Sequence, residues 1–319
     1  MKFQPLAIVA AVVTTTIFWG AASPAMADAK TDASKYLYGE MVNGQYLDGF
    51  TAGTPDFGFS LEALLQLSQY PDVAGQLGAA KYYLLKDSRI IAQKSGYAVD
   101  SATKKLNPAA AAKFAFVSAI VHAGNQSVRT NNLNQLADSK RNRLAQSHSS
   151  TFAYSWVVLA LEANHKTASA SKLTKAVLKL QRKDGGFAVD ATPDSNGSST
   201  DATGIALQAL AALSKGGNPL PKAVARAESR AIAYLNKTKV QDHWMAWGDV
   251  DVNGTAYALM GLKAAGKKVG TGIKWLISQA SATDGGIMTP WSNGAGDRFA
   301  TAQSLLILKN LSYADLIRN

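Results

Sequence analysis

The sequence predicts an all-helical protein in which a helix pair recurs about six times and closes into a barrel of helices around one central cavity. Three observations carry this expectation. Apolar segments of one pattern recur at near-constant spacing, they alternate with amphipathic segments, and few strand signals occur anywhere in the 319 residues.

Taken in chain order, the first element is a leader. Residues 1–27 hold one lysine, an apolar run from Leu6 to Ala22, and Ala25-Met26-Ala27 before Asp28. This is the pattern of a secretory signal peptide with a small-residue cleavage site, so residues 28–319 are expected as the mature domain, without a transmembrane segment. The inner helices follow. FGFSLEALLQL from Phe57 and FAFVSAIVHA from Phe114 fit their pattern loosely, and FAYSWVVLALEA from Phe152 fits it well. TGIALQALAAL from Thr203, TAYALMGLKAA from Thr255 and TAQSLLILKNL from Thr301 superpose, beginning 52 and 46 residues apart. Each opens with Thr and a small residue, then runs almost uncharged for three turns, as a helix buried on nearly all sides does. Residues 170–183 and 223–237 instead carry one apolar stripe and one charged face, which marks outer, half-solvated helices.

The connectors repeat too. GYAVD at 96–100 matches GFAVD at 186–190, and Gly49-Phe50, Gly186-Phe187, Ala246-Trp247 and Gly286-Ile287 occupy what reads as one repeated place. Glycine turns the chain there, and the large side chain is expected to plug the gap between repeats. The polar stretch 190–201 is expected as a loop over one mouth of the barrel.

Two connectors carry a sharper pattern: Gln181 with Asp184-Gly185-Gly186-Phe187, and Gln279 with Asp284-Gly285-Gly286-Ile287. These resemble the Gln-Trp repeats of the terpene cyclase and prenyltransferase (squalene cyclase-like) superfamily, with Phe187 and Ile287 in the usual place of the tryptophan. The resemblance spans nearly the whole mature chain, strongest from Thr151 onward. It implies an α/α toroid, here a secreted single-toroid member, and a shared cavity without a shared chemistry.

Related cyclases keep their proton donor as the middle Asp of an Asp-x-Asp-Asp motif before Thr-Ala. Aligned on Thr255-Ala256, this chain reads Asp251-Val252-Asn253-Gly254, so the acid's place falls to Asn253, whose amide has no acidic proton. A two-residue shift offers Asp249-Val250-Asp251 but loses the Thr-Ala register. The chain has no cysteine, which excludes the thiolate ligand of zinc-dependent prenyl transfer and all thioester chemistry. An EF-hand started at Asp249 would place Met260 where a bidentate Glu is required. His122 and His165 read as packing residues. His148 and His243 lie near Ser149, Ser150 and Asp242, but no Gly-x-Ser-x-Gly elbow accompanies them. The net charge of +11 is scattered over many helices, so no nucleic-acid face is expected; it favours encounter with anionic cell-envelope polymers.

A shaped pocket remains. Inner helices should bring their first turns to one mouth, gathering Asp201, Asp251, Asn253 and Asp297 with Trp244, Trp247, Trp291, Tyr154 and Tyr257. Aromatic walls with a few polar groups describe a ligand site, although helix capping accounts for acids at such positions as well. The function expected is a non-catalytic exported binding protein, released or loosely associated with the envelope. It would hold an apolar or amphipathic small molecule, a lipid or a partner's segment, with no cofactor and no metal. The alternatives are a divergent cyclase-like or hydrolytic enzyme using Asp251 or His243, and a structural or interaction protein of the envelope.

Overall fold

The computed structural model describes residues 25–86, 97–98, 106–124, 129, 150–190, 197–215 and 221–317. The expected leader lies outside them except for the backbone of 25–27, as do His148, Ser149 and residues 191–196 of the 190–201 stretch.

Each inner helix starts where a short polar side chain accepts a hydrogen bond from an N–H in the first turn, satisfying a donor that the helix itself leaves open. Helix α1 (Ala25–Gly39) is outer, and α2 (Phe57–Leu67), capped by Asp56, is the first inner one. Short helical turns at Pro71–Ala74, Gly78–Lys81 and Tyr82–Lys86 follow. Next come inner α3 (Pro108–Ile120, cap Asn107), inner α4 (Thr151–Ala163, cap Ser150) and outer α5 (Thr167–Leu178). Inner α6 (Thr200–Lys215) is capped by the Ser199 hydroxyl, which accepts from Ala202 N, and outer α7 (Lys222–Thr238) follows. A hairpin of β1 (Met245–Ala246) and β2 (Asp249–Val250) leads to inner α8 (Val252–Ala264, cap Asp251). Outer α9 (Gly270–Ser278), inner α10 (Arg298–Leu308, cap Asp297) and a last turn, α11 (Tyr313–Leu316), complete the chain.

Helices α2, α3, α4, α6, α8 and α10 each pack on the next, and α10 packs back on α2, so the inner ring closes. The fold is the all-α, α/α toroid that the repeat pattern predicts. No described helix is long and apolar enough to cross a membrane.

The structure shows why Thr opens the best-matched segments. Thr203, Thr255 and Thr301 stand four residues after their caps, and their hydroxyls accept from the N–H groups of Phe187, Trp244 and Ile287 at 2.8, 3.0 and 2.8 Å. The N–H of each cap in turn donates to the carbonyl of that same connector residue: Ser199 to Phe187, Asp251 to Trp244 and Asp297 to Ile287. Ser60 and Leu47 make the same pair of bonds with Asp56. A connector residue is thus pinned at both backbone groups and its side chain is pressed into the wall: Leu47, Phe187, Trp244 and Ile287 are at most 1 % exposed.

This geometry corrects two expectations. Gly49-Phe50 and Ala246-Trp247 are not plugs; Leu47 and Trp244 fill that place, and the rings of Phe50 and Trp247 are 94 % and 99 % exposed. The looser segments also begin elsewhere: counted from their caps, the residues equivalent to Thr255 are Ser60, Ala111 and Tyr154, not Phe57, Phe114 and Phe152. Apolar pattern alone leaves the phase of a helix buried all round undefined, and the caps define it.

Candidate functional site

Counting from the caps shows what faces the toroid axis. The second residue after the cap is half-buried between buried neighbours at Ala109, Phe152 and Asn253, and Asp201 and Phe299 are half-buried at the same register. About one turn deeper, at the sixth residue, stand Glu62, Lys113, Trp156, Ile205, Tyr257 and Gln303.

The deeper layer forms a floor. The buried Glu62 carboxylate accepts from Lys113 Nζ at 3.1 Å, from the Tyr257 hydroxyl at 2.7 Å and from the Tyr313 hydroxyl. Lys113 Nζ also lies 4.8 Å from the centre of the Trp156 ring. Tyr313 arrives from α11 and fills the axis from the far end: Gln66 Nε2 donates to its hydroxyl and its N–H donates to Gln208 Oε1. Burial and the Glu62 charge push both tyrosine hydroxyls well above their ordinary pKa, so they remain neutral donors. None of Glu62, Lys113 and Tyr313 was anticipated as a functional residue. The available signal was a charge in the middle of an otherwise uncharged helix.

Above this floor the two best-aligned repeats make a pocket. Helices α6 and α8 touch backbone to backbone: a Cβ on Gly204 would lie 2.3 Å from the Tyr257 carbonyl oxygen, and one on Gly261 would lie 2.6 Å from the Gly204 carbonyl oxygen. The contact draws Asp201, in the first turn of α6, to the same wall as Asp251 and Asn253. The cavity, about 820 Å³, opens between the connectors that precede α6, α8 and α10, and Tyr234, Trp247 and Trp291 line its rim.

Both acids use one oxygen locally. Asp251 Oδ1 accepts from Gly254 N at 2.8 Å, and Asp201 Oδ1 accepts from Ala202 N at 2.8 Å and from the Ser199 hydroxyl. Among the described residues neither Oδ2 has a hydrogen-bond partner. Burial raises the pKa of both carboxyls, and the Asp251 charge raises that of Asp201 further. Two acids with raised pKa values in one cleft are candidates for general acid–base work.

Of the other anticipated residues, Asn253 lines the pocket, and its Nδ2 donates to Gln303 Oε1 at 2.5 Å. Trp244 touches the pocket but is fully buried, with its indole N–H donating to the Leu235 carbonyl at 3.0 Å. Asp297 caps α10 through Ala300 N at 2.7 Å and does not line the pocket. Tyr154 is buried in the wall and Tyr257 belongs to the floor. His243 stacks on Trp275 at 4.6 Å, away from the pocket lining, so it is a packing residue. Among the described residues no three His, Asp or Glu side chains gather as a metal site.

No protein-family model matches the sequence, and no curated protein matches it. Solved structures do match. An unsaturated glucuronyl hydrolase responsible for glycosaminoglycan degradation, from Bacillus sp. GL1, is 12 % identical with a TM-score of 0.59, over 89 % of this chain and 95 % of that one. A polysaccharide lyase is 11 % identical with a TM-score of 0.60, over 89 % and 96 %. A type II terpene cyclase from Scytonema, in complex with geranylgeranyl dihydroxybenzoate, is 15 % identical with a TM-score of 0.62, over 92 % and 98 %. The protein has the α/α toroid fold of these enzymes. The hydrolase, lyase and cyclase among its structural neighbours are catalytic proteins, which runs against the expectation of a non-catalytic binding protein.

Proposed function

We propose that the protein is an exported glycan-cleaving enzyme, working at the toroid mouth with Asp201 as proton donor and Asp251 as proton acceptor. The observation that carries this is the pair of partly buried acids in one pocket rimmed by exposed tryptophans. Sugar rings present apolar faces that stack on indole, while a glycosidic bond breaks when one carboxyl protonates the leaving oxygen and a second activates the attacking group. Burial raises the pKa of both carboxyls, and the Asp251 charge raises that of Asp201 further, which favours Asp201 as the donor of the pair.

The hydrolase and lyase among the structural neighbours act on sugar chains, and the chain's net charge of +11 favours acidic ones. The apolar leader supports export, and a substrate outside the cell agrees with it. The filled axis counts against a prenyl-chain substrate: Glu62, Lys113, Tyr257 and Tyr313 occupy the lumen with polar groups.

The test is turnover of acidic and neutral oligosaccharides, unsaturated uronyl-ended ones included, by the purified mature chain. Asp201→Asn and Asp251→Asn should each lower kcat at least about 10²-fold while the protein stays folded, since the Asn Oδ1 can still accept the local backbone N–H that each Asp accepts. Turnover of an isoprenoid, with none of any glycan, would overturn the proposal.

A further inference from the structure

The connectors before α8, α10 and α2 each leave one large ring in solvent, beside plugs that are fully buried. Trp247 is 99 % exposed, Trp291 64 % and Phe50 94 %. Helices α8, α10 and α2 are consecutive around the closed ring, so these aromatics follow one another along the rim. Neighbouring packed helices stand about 8–10 Å apart, a spacing that a few linked sugar rings span.

Trp247 is held at a cost. It occupies the first position of the two-residue β1–β2 turn, with φ +50°, and Gly248 follows at φ +91°. A turn with positive φ at both central residues prefers Asn-Gly, and a bulky side chain there is strained. With its ring 99 % exposed, packing does not repay that strain. Strain kept at an exposed position without a packing gain marks a ligand contact.

Phe50 has support of another kind. Its ring lies 5.4 Å from that of Phe299, which lies 4.5 Å from Phe59, so the three make a platform between α10 and α2. The Arg298 guanidinium sits 5.0 Å from the Phe299 ring, fixed by a 2.6 Å bond from Nη2 to the Gly49 carbonyl. A cation held beside an aromatic platform matches a sugar that carries a carboxylate.

Resting on the glycan-cleaving reading above, we propose that Trp247, Trp291 and Phe50 are successive subsites of a rim track for an acidic glycan polymer, with Arg298 reading charge at the Phe50 end. The enzyme then grips a long chain well beyond the cleaved bond.

Calorimetric binding tests this on the full mature chain in an Asp251→Asn background, with a glycosaminoglycan disaccharide, a dodecasaccharide, and a carboxyl-reduced dodecasaccharide. The dodecasaccharide should bind at least about tenfold tighter than the disaccharide. Phe50→Ala should remove most of that ratio, and Arg298→Gln should remove the preference for the charged over the reduced chain. Trp247→Asn, which creates an Asn-Gly turn, should melt higher than its parent while binding every glycan more weakly. Equal affinity for long and short chains, or a length preference that survives Phe50→Ala, overturns the track but leaves the cleaving pocket standing. If no glycan binds and none is cleaved, both readings fall together.

Discussion

Asp201 is the residue in which the proposed chemistry and stability pull in opposite directions. Burial, with the Asp251 charge added, raises its carboxyl pKa above the unfolded-chain value. A group raised in this way contributes stability that is full below the unfolded pKa and is lost as pH rises through the folded one. Asp201→Asn should therefore melt at a higher temperature than the wild type at neutral pH. The gap should close as pH falls below the ordinary Asp value of about 3.9; a gap independent of pH would refute the raised pKa. Asp251 is the counterpart in which cap and chemistry coincide: Oδ1 serves Gly254 N, and Oδ2 is left to the pocket. Capping and ligand contact were rival explanations in the sequence, and the Asp251 carboxylate both caps α8 and lines the pocket.

Among the elements, the connectors decide what the mouth presents. The threonine four residues past the cap orients the connectors before α6, α8 and α10, so Thr255→Val should leave the Trp244 N–H buried without a partner and cost about 1–3 kcal/mol, read by urea denaturation. The α6–α8 crossing positions the acids. Gly204→Ala places a methyl where the Tyr257 carbonyl stands, which forces the helices apart. A loss of about 1–3 kcal/mol is expected, together with reduced turnover at temperatures where the variant is still folded, because Asp201 moves away from Asp251. Unchanged turnover would show that the close crossing does not set the geometry of the pair.

For the whole molecule, closure of the ring depends on what fills its axis. Tyr313 is fully buried against Phe116, Trp156 and Tyr257, and its hydroxyl meets Glu62, so one side chain from the end of the described chain ties several inner helices together. Tyr313→Ala should cost about 3–5 kcal/mol and lower the melting temperature of the entire toroid in one transition, because every inner helix leans on its neighbours around the ring. A variant that loses only α11, with the remaining melt unchanged, would contradict that coupling.

The sequence by itself determined the repeat, the two concentric layers and the fold class, because burial writes composition directly: uncharged helices are inside and striped ones outside. It also placed Asp201, Asp251, Asn253, Trp247 and Trp291 at one mouth, since residues at the same place in a repeat go to the same end of the barrel. Tertiary structure alone decided which aromatics are plugs and which are rim, as Trp244 and Trp247 stand three residues apart and differ only in which N–H the Thr255 hydroxyl holds. It alone removed Asp297, Tyr154 and His243 from the pocket. It also joined Glu62, Lys113 and Tyr313, which are far apart in the chain and meet only because the ring closes. Local pattern records how deeply a residue is buried, whereas the partner it meets across the axis is a property of closure.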